Sequence, residues 1–175
     1  MILNDKELMN HCIMNNLVSP LSEGSIQPAS VDLRLGDSFL KPVNNYRGYN
    51  NFNDPVEYST INGSYMLKPH EFVLGTTKEV IDLPNNLTAF VEGRSSIGRM
   101  GLFVQNAGWV DPGFKGEITL ELYNASDVPI KLVPGRRVAQ LVFCKMSGSC
   151  ETPYNGKYQN QSGATASKIN EDKEY

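Results

Sequence analysis

Short stretches in which apolar and polar residues alternate, each closed by a cluster of turn-forming residues, recur along most of this chain and leave it few ways to fold. The clearest is Val31-Asp32-Leu33-Arg34-Leu35, whose period of two is that of a half-buried strand. Further short strands are predicted at 39–40, 65–67, 72–76, 87–91, 118–123, 130–132 and 138–143. Gly, Pro, Asn and Asp lie between them, and many short strands with regular turn signals imply a sandwich or barrel. The expected class is all-β, a distorted β-barrel or jelly roll with a short N-terminal helix. That helix is predicted over 5–16, because Asn4 and Glu7 have the spacing of a capping box and Leu8, Cys12 and Ile13 recur at helical intervals. Asn15 and Asn16 end it. A helical turn is predicted over 95–100 with Ser95 as its cap. The polar segment 44–63, rich in Asn and Tyr, reads as a long loop or insertion.

The 175 residues suit one domain, expected over 1–150. Segment 151–175 is rich in Gly, Ser, Asn, Gln and Lys with few apolar residues. Alone it cannot bury enough surface to order itself, so it reads as a flexible tail. A net charge of −3 argues against a non-specific nucleic-acid binder, which is usually basic, but leaves room for a nucleotide held by local arginines. No apolar run approaches the ~20 residues of a membrane helix. The first residues, MILNDKELMN, lack the basic leader and apolar core of a secretory signal. With Cys12, Cys144 and Cys150 read as free thiols in a reducing compartment, the expected location is cytoplasmic. The H-x-E and P-C-x-x-C signatures of zinc base deaminases do not occur, so any deamination of a base here must activate water without zinc.

Segment 93–124, GRSSIGRMGLFVQNAGWVDPGFKGEITLELYN, is the densest in chemistry. Arg94, Ser95 and Ser96 at the start of a helical turn offer a bidentate guanidinium, hydroxyls and outward backbone N–H groups, the donors that a polyanion requires. The plain alternative is a surface turn with a solvated arginine. Arg99 lies four residues after Ser95 and shares its helical face. In 118–123, Ile118, Leu120 and Leu122 face one way while Thr119, Glu121 and Tyr123 face the other. By pattern alone Glu121 is a solvated side chain, and Asp111 belongs to an ordinary Asp-Pro-Gly turn.

GRSSIGRMGL, AGWVDPGF and ITLELYN, together with IQPASVDLRLG and GKYQNQSGATAS, resemble the motifs of the deoxycytidine triphosphate (dCTP) deaminases, a family that shares its fold with trimeric dUTPases. The resemblance runs in order from residue 2 to about residue 169. It implies hydrolytic deamination of dCTP to dUTP and ammonia. Glu121 would be the general acid-base, with Ser95 and Arg99 against the catalytic water and the arginine keeping the carboxylate ionised. Arg94, Ser95 and Ser96 would bind phosphates. Backbone groups at Asn106 and Ala107 would read the pyrimidine edge. Asp111 would contact the deoxyribose 3′-hydroxyl, and Phe114 would pack on the sugar and exclude a 2′-hydroxyl. Tyr154, Lys157, Tyr158 and Gln161 would reach the β- and γ-phosphates as the tail closes.

The form AGWVD resembles members that also hydrolyse dUTP to dUMP and pyrophosphate. The resemblance further implies Mg2+ carried on the triphosphate and a homotrimer with sites at subunit interfaces. It implies feedback inhibition by dTTP, and no nucleic-acid or membrane partner. It gives Gln27, Pro28, Ser30, Asp32 and Arg34 a structural or interface role. Trp109 is either core or a reporter of ligand. Two other readings stay open. A pure dUTPase is disfavoured by Phe114 and by the lack of a glycine-rich arginine and phenylalanine tail motif. A non-catalytic nucleotide sensor is disfavoured by the joint presence of Ser95, Arg99 and Glu121.

Overall fold

A computed structural model describes residues 1–43, 52–105 and 108–172. The chain opens with α1 (Asp5–Asn15), capped as its sequence dictates. Asn4 Oδ1 accepts the Glu7 N–H at 3.0 Å, and the Glu7 carboxylate accepts the Asn4 N–H at 3.3 Å. Asn16, at φ 53°, closes the helix in the left-handed conformation. Leu8 and Cys12 are buried, but Ile13 of the predicted apolar set faces outward.

Among the described residues thirteen strands follow: β1 (Val18–Ser19), β2 (Ile26–Gln27), β3 (Ser30–Arg34), β4 (Ser38–Pro42), β5 (Tyr58–Asn62), β6 (Tyr65–Leu67), β7 (Phe72–Asp82), β8 (Leu87–Gly93), β9 (Leu102–Gln105), β10 (Trp109–Val110), β11 (Lys115–Asn124), β12 (Ile130–Leu132) and β13 (Arg137–Lys145). The turn α2 (Ser95–Gly98) separates β8 from β9. One sheet runs β5-β4-β7-β11-β9 with β1 beside β7, and a second runs β10-β8-β13-β3-β2. A small ribbon pairs β12 with β6. The described pairings form open sheets around one apolar core rather than a closed barrel. Phe39, Val73, Leu120 and Leu122 of the first sheet meet Leu33, Ala89, Leu141 and Phe143 of the second in that core. Each large side chain buried there contributes roughly 1.5–3 kcal/mol.

The polar residues of β3 are not on a wetted face, as their alternation suggests. Ser30, Val31, Asp32 and Leu33 are all buried. The strand lies inside its sheet, between β13 and β2, and its charges are met internally. Asp32 sits between Arg94 Nε at 3.3 Å and Arg137 Nη1 at 3.5 Å. Arg34 donates through Nε to buried Glu79 at 2.6 Å and through its backbone N–H at 2.8 Å. A buried charge persists where it is paired and hydrogen-bonded, so this polar set is structural. Part of the expected loop 44–63 is strand β5, while 44–51 lies outside the described residues.

Candidate functional site

β11 places the Glu121 carboxylate. Its residues are alternately buried and half-buried, with Ile118, Leu120 and Leu122 inward and Thr119 and Glu121 outward. Glu121 pairs in register with Leu74 of β7 and Gln105 of β9. On the outward side lies a cleft of about 520 Å³, walled by Glu121 and Thr119 of β11, Phe72 and Leu74 of β7, and Trp109, Val110 and Asp111 around β10.

Asp111 stands exposed at the rim, and its Oδ1 accepts the Trp109 indole N–H at 2.8 Å. Trp109 is therefore not core. It is 58% exposed and meets Phe90 edge-on at 4.8 Å between centroids. Phe114 is buried in the cleft wall, and its ring lies 5.9 Å from that of Tyr154. The Asp-Pro-Gly turn before it puts Gly113 at φ +85°, and a Cβ there would come within 2.5 Å of Pro153. A side chain at that position would thus block the tail as well as strain the turn.

The tail lies over this opening. Tyr154, Tyr158, Gln161, Thr165, Ala166 and Ser167 all line the cleft. Described residues 151–172 make long-range bonds, which composition does not reveal. Gln159 Nε2 donates to Gly113 O at 2.8 Å, and Asn160 donates its N–H to Lys115 O at 2.7 Å. Lys157 points elsewhere: its ammonium meets Asp172 at 2.5 Å and Lys168 O at 3.0 Å. Asp172, as hydrogen-bond partner, holds the Lys157 ammonium above its usual range.

Tyr58 was not singled out by the sequence, because it falls in the polar 44–63 segment. At the start of β5 it lines the cleft. Burial pushes its phenol upward, the Ser167 backbone hydrogen bond works against that, and Tyr158 and Glu121 lie close enough to add to the rise.

Arg94, Ser95, Ser96 and Arg99 are not among the residues that line the cleft. Ser95 does not cap its turn. It is the first helical residue, Arg94 occupies the cap position, and no side chain caps it. Ser95, Ser96 and Arg99 are exposed, while Arg94 is half-buried against Asp32. The cleft of this chain therefore gathers Glu121, Asp111, Phe114, Tyr154, Tyr158 and Gln161, and the Arg-Ser-Ser turn does not line it. Asn106 and Ala107 lie outside the described residues. Among the described residues, no helix is long and apolar enough to cross a membrane.

Comparison with known proteins gives this arrangement a lineage. The chain is 51% identical over 175 residues to a "dCTP deaminase, dUMP-forming" of Sulfurihydrogenibium sp. (strain YO3AOP1), with 97% of each chain covered. Its fold resembles the crystal structure of 2′-deoxycytidine 5′-triphosphate deaminase from Agrobacterium tumefaciens, with a TM-score of 0.64 and 22% identity. That match covers 81% of this chain, which spans about half, 48%, of the Agrobacterium chain. A mutant dUTPase from phage phi11 of S. aureus shares the fold at a TM-score of 0.50 and 14% identity, with 80% of this chain and 97% of the phage chain covered. The family model described as dCTP deaminase-like matches residues 2–146, and the chain belongs to that family.

Proposed function

We propose that this protein deaminates dCTP and carries the product on to dUMP, releasing ammonia and pyrophosphate. The observation that carries the reading is the position of Glu121, which opens into a cleft walled by Asp111 and Phe114 in a chain half identical to a dUMP-forming dCTP deaminase. The Glu121 carboxylate takes a proton from water, and the resulting hydroxide attacks C4 of the cytosine ring. Glu121 passes that proton to N3 and then carries the proton of the new C4 hydroxyl to the departing amine, so ammonia leaves, C4 becomes a carbonyl and N3 keeps a hydrogen. Phe114, backed by Tyr154, packs on the deoxyribose. Asp111, oriented by the Trp109 N–H, meets the 3′-hydroxyl and helps to position the water that attacks the α-phosphate.

The exposed Ser95 and Arg99 complete the chemistry from a neighbouring copy. In a homotrimer, each cleft receives the Arg94-Ser95-Ser96 turn of the next protomer as its phosphate and water clamp. That the turn does not line the cleft of its own chain supports this arrangement. Lys157 exchanges Asp172 for the β- and γ-phosphates on binding, with Tyr158 and Gln161 beside it. The nucleotide brings its magnesium ion, which screens phosphate charge. dTTP, alike in sugar and phosphates, inhibits at the same site, and the enzyme works in the cytoplasm.

The test is incubation with dCTP and magnesium, ion-exchange separation of dCTP, dUTP and dUMP, and an ammonia assay. Ammonia and dUMP in equal amounts are expected. dUTP accumulating as the end product would remove the second reaction, and no ammonia release would remove the first.

A further inference from the structure

The outward face of β11 carries more than Glu121. The same alternation puts Lys115, Glu117 and Thr119 on that side, and the tail runs along these three. Glu117 donates its N–H to Gln161 O at 3.0 Å. The Gln161 side-chain amide donates to Glu117 O at 2.7 Å, and Thr165 donates its N–H to Thr119 Oγ1 at 3.1 Å. Between these contacts the Glu117 carboxylate meets a turn of the tail. Oε2 accepts the Gly163 N–H at 2.7 Å and the Thr76 hydroxyl at 3.0 Å, and Oε1 accepts the Ser162 hydroxyl at 3.3 Å. Hydrogen bonds to an ionised acceptor are roughly twice as strong as neutral ones.

The strand backbone is shaped for the same contact. A Cβ on Gly116 would lie 2.9 Å from Gln161 O and 3.0 Å from Gln161 N, and the residue's φ of +149° also favours glycine. Two residues beyond Thr119 on the same face stands Glu121, with Thr165, Ala166 and Ser167 of the tail lining its cleft.

We infer that Glu117 is a positioning residue for the reaction: it seats the turn at 161–163 on β11, so that residues 165–167 wall the cleft beside Glu121. The inference rests on the role given to Glu121 above. Glu117 touches no reacting atom in this arrangement and acts through the tail, whose closure sets the water content of the site.

Glu117→Ala and Glu117→Gln test it, each read by trypsin cleavage after Lys157 and Lys168 in ligand-free protein and by kcat and KM for dCTP. In Glu117→Ala, tail cleavage rises about tenfold and kcat for ammonia release falls about 10- to 100-fold, with the melting temperature little changed. Glu117→Gln keeps an oxygen for the Gly163 N–H and stays within about threefold of wild type in both readouts. Wild-type cleavage in Glu117→Ala overturns the inference, and so does a loosened tail with wild-type kcat and KM. A Glu117→Gln variant with a protected tail but the alanine variant's kcat gives Glu117 a direct chemical role and overturns it too. Failure of the functional reading is distinguishable. Wild-type protein would then release no ammonia, while the cleavage arm, which needs no substrate, would still report the seat.

Discussion

Arg94 Nε lies 3.3 Å from Oδ1 of Asp32, a carboxylate whose side chain is only 2% exposed. Arg137 holds the other oxygen at 3.5 Å and donates to the carbonyls of Gly24 at 2.7 Å and Glu23 at 2.6 Å. The leading arginine of the proposed phosphate clamp is therefore anchored in the body of the domain before any nucleotide arrives. Such preorganisation lowers the ordering cost of binding.

Asp32→Ala should accordingly weaken both stability and binding. It leaves two guanidinium groups without their carboxylate, each about one-third exposed, so water recovers part of the loss. A fall of about 1–3 kcal/mol in urea-unfolding free energy is expected, with a raised KM for dCTP. An unchanged urea midpoint would refute the structural role.

Glu121→Gln keeps the shape of the side chain but cannot accept the water proton. Ammonia release should fall by at least about 10³-fold, while titration of Trp109 fluorescence with dCTP still reports binding. Substantial turnover would take Glu121 out of the mechanism.

Shared sites make a sharper prediction. If the chain forms the proposed homotrimer, Ser95→Ala and Glu121→Gln should each inactivate their own assembly. When the two are unfolded together and refolded at equal concentration, about one site in four receives an intact Ser95 from one protomer and an intact Glu121 from its neighbour. Deaminase activity should reappear at about that fraction of wild type. A mixture as inactive as its parents would place both residues in one chain's site.

Glu71 predicts an acid limb of stability. Burial pushes its carboxyl up, but Lys41 at 2.5 Å, the Lys68 N–H at 2.7 Å and the Tyr65 hydroxyl at 2.9 Å outweigh that and hold it below the ordinary 4.5. A carboxyl with a depressed value in the folded state contributes fully above its unfolded value. The contribution is lost as pH falls through the folded one. Glu71→Gln should therefore lower the melting temperature near neutrality and flatten its decline below pH 4.5. Parallel curves for the two proteins would rule this out.

How much could be read beforehand depended on the range of the interactions. β6 and β12 match the predicted 65–67 and 130–132, because their short apolar runs, Tyr-Met-Leu and Ile-Lys-Leu, are bounded by turn residues. β1, β2 and β10 have two residues each, too few to carry a period. β7 extends past the predicted 72–76 because Thr76, Thr77 and Glu79, polar in sequence, are buried with internal partners. Glu117 and Glu121 occupy equivalent positions in the pattern of β11. What separates them is a tail residue 46 positions away, so only tertiary structure assigns one to the tail and the other to the cleft. The Arg-Ser-Ser motif stood out in the sequence as a donor-rich turn, whereas its absence from the lining of the cleft that holds Glu121 was not legible.

The glycine-threaded contact between β11 and the tail has a consequence for chimeras. A relative's C-terminal segment grafted onto this domain would meet a bed cut for a different guest, and should engage poorly unless residues 115–119 are exchanged along with it. The two segments pack as one unit, despite the long stretch of chain between them.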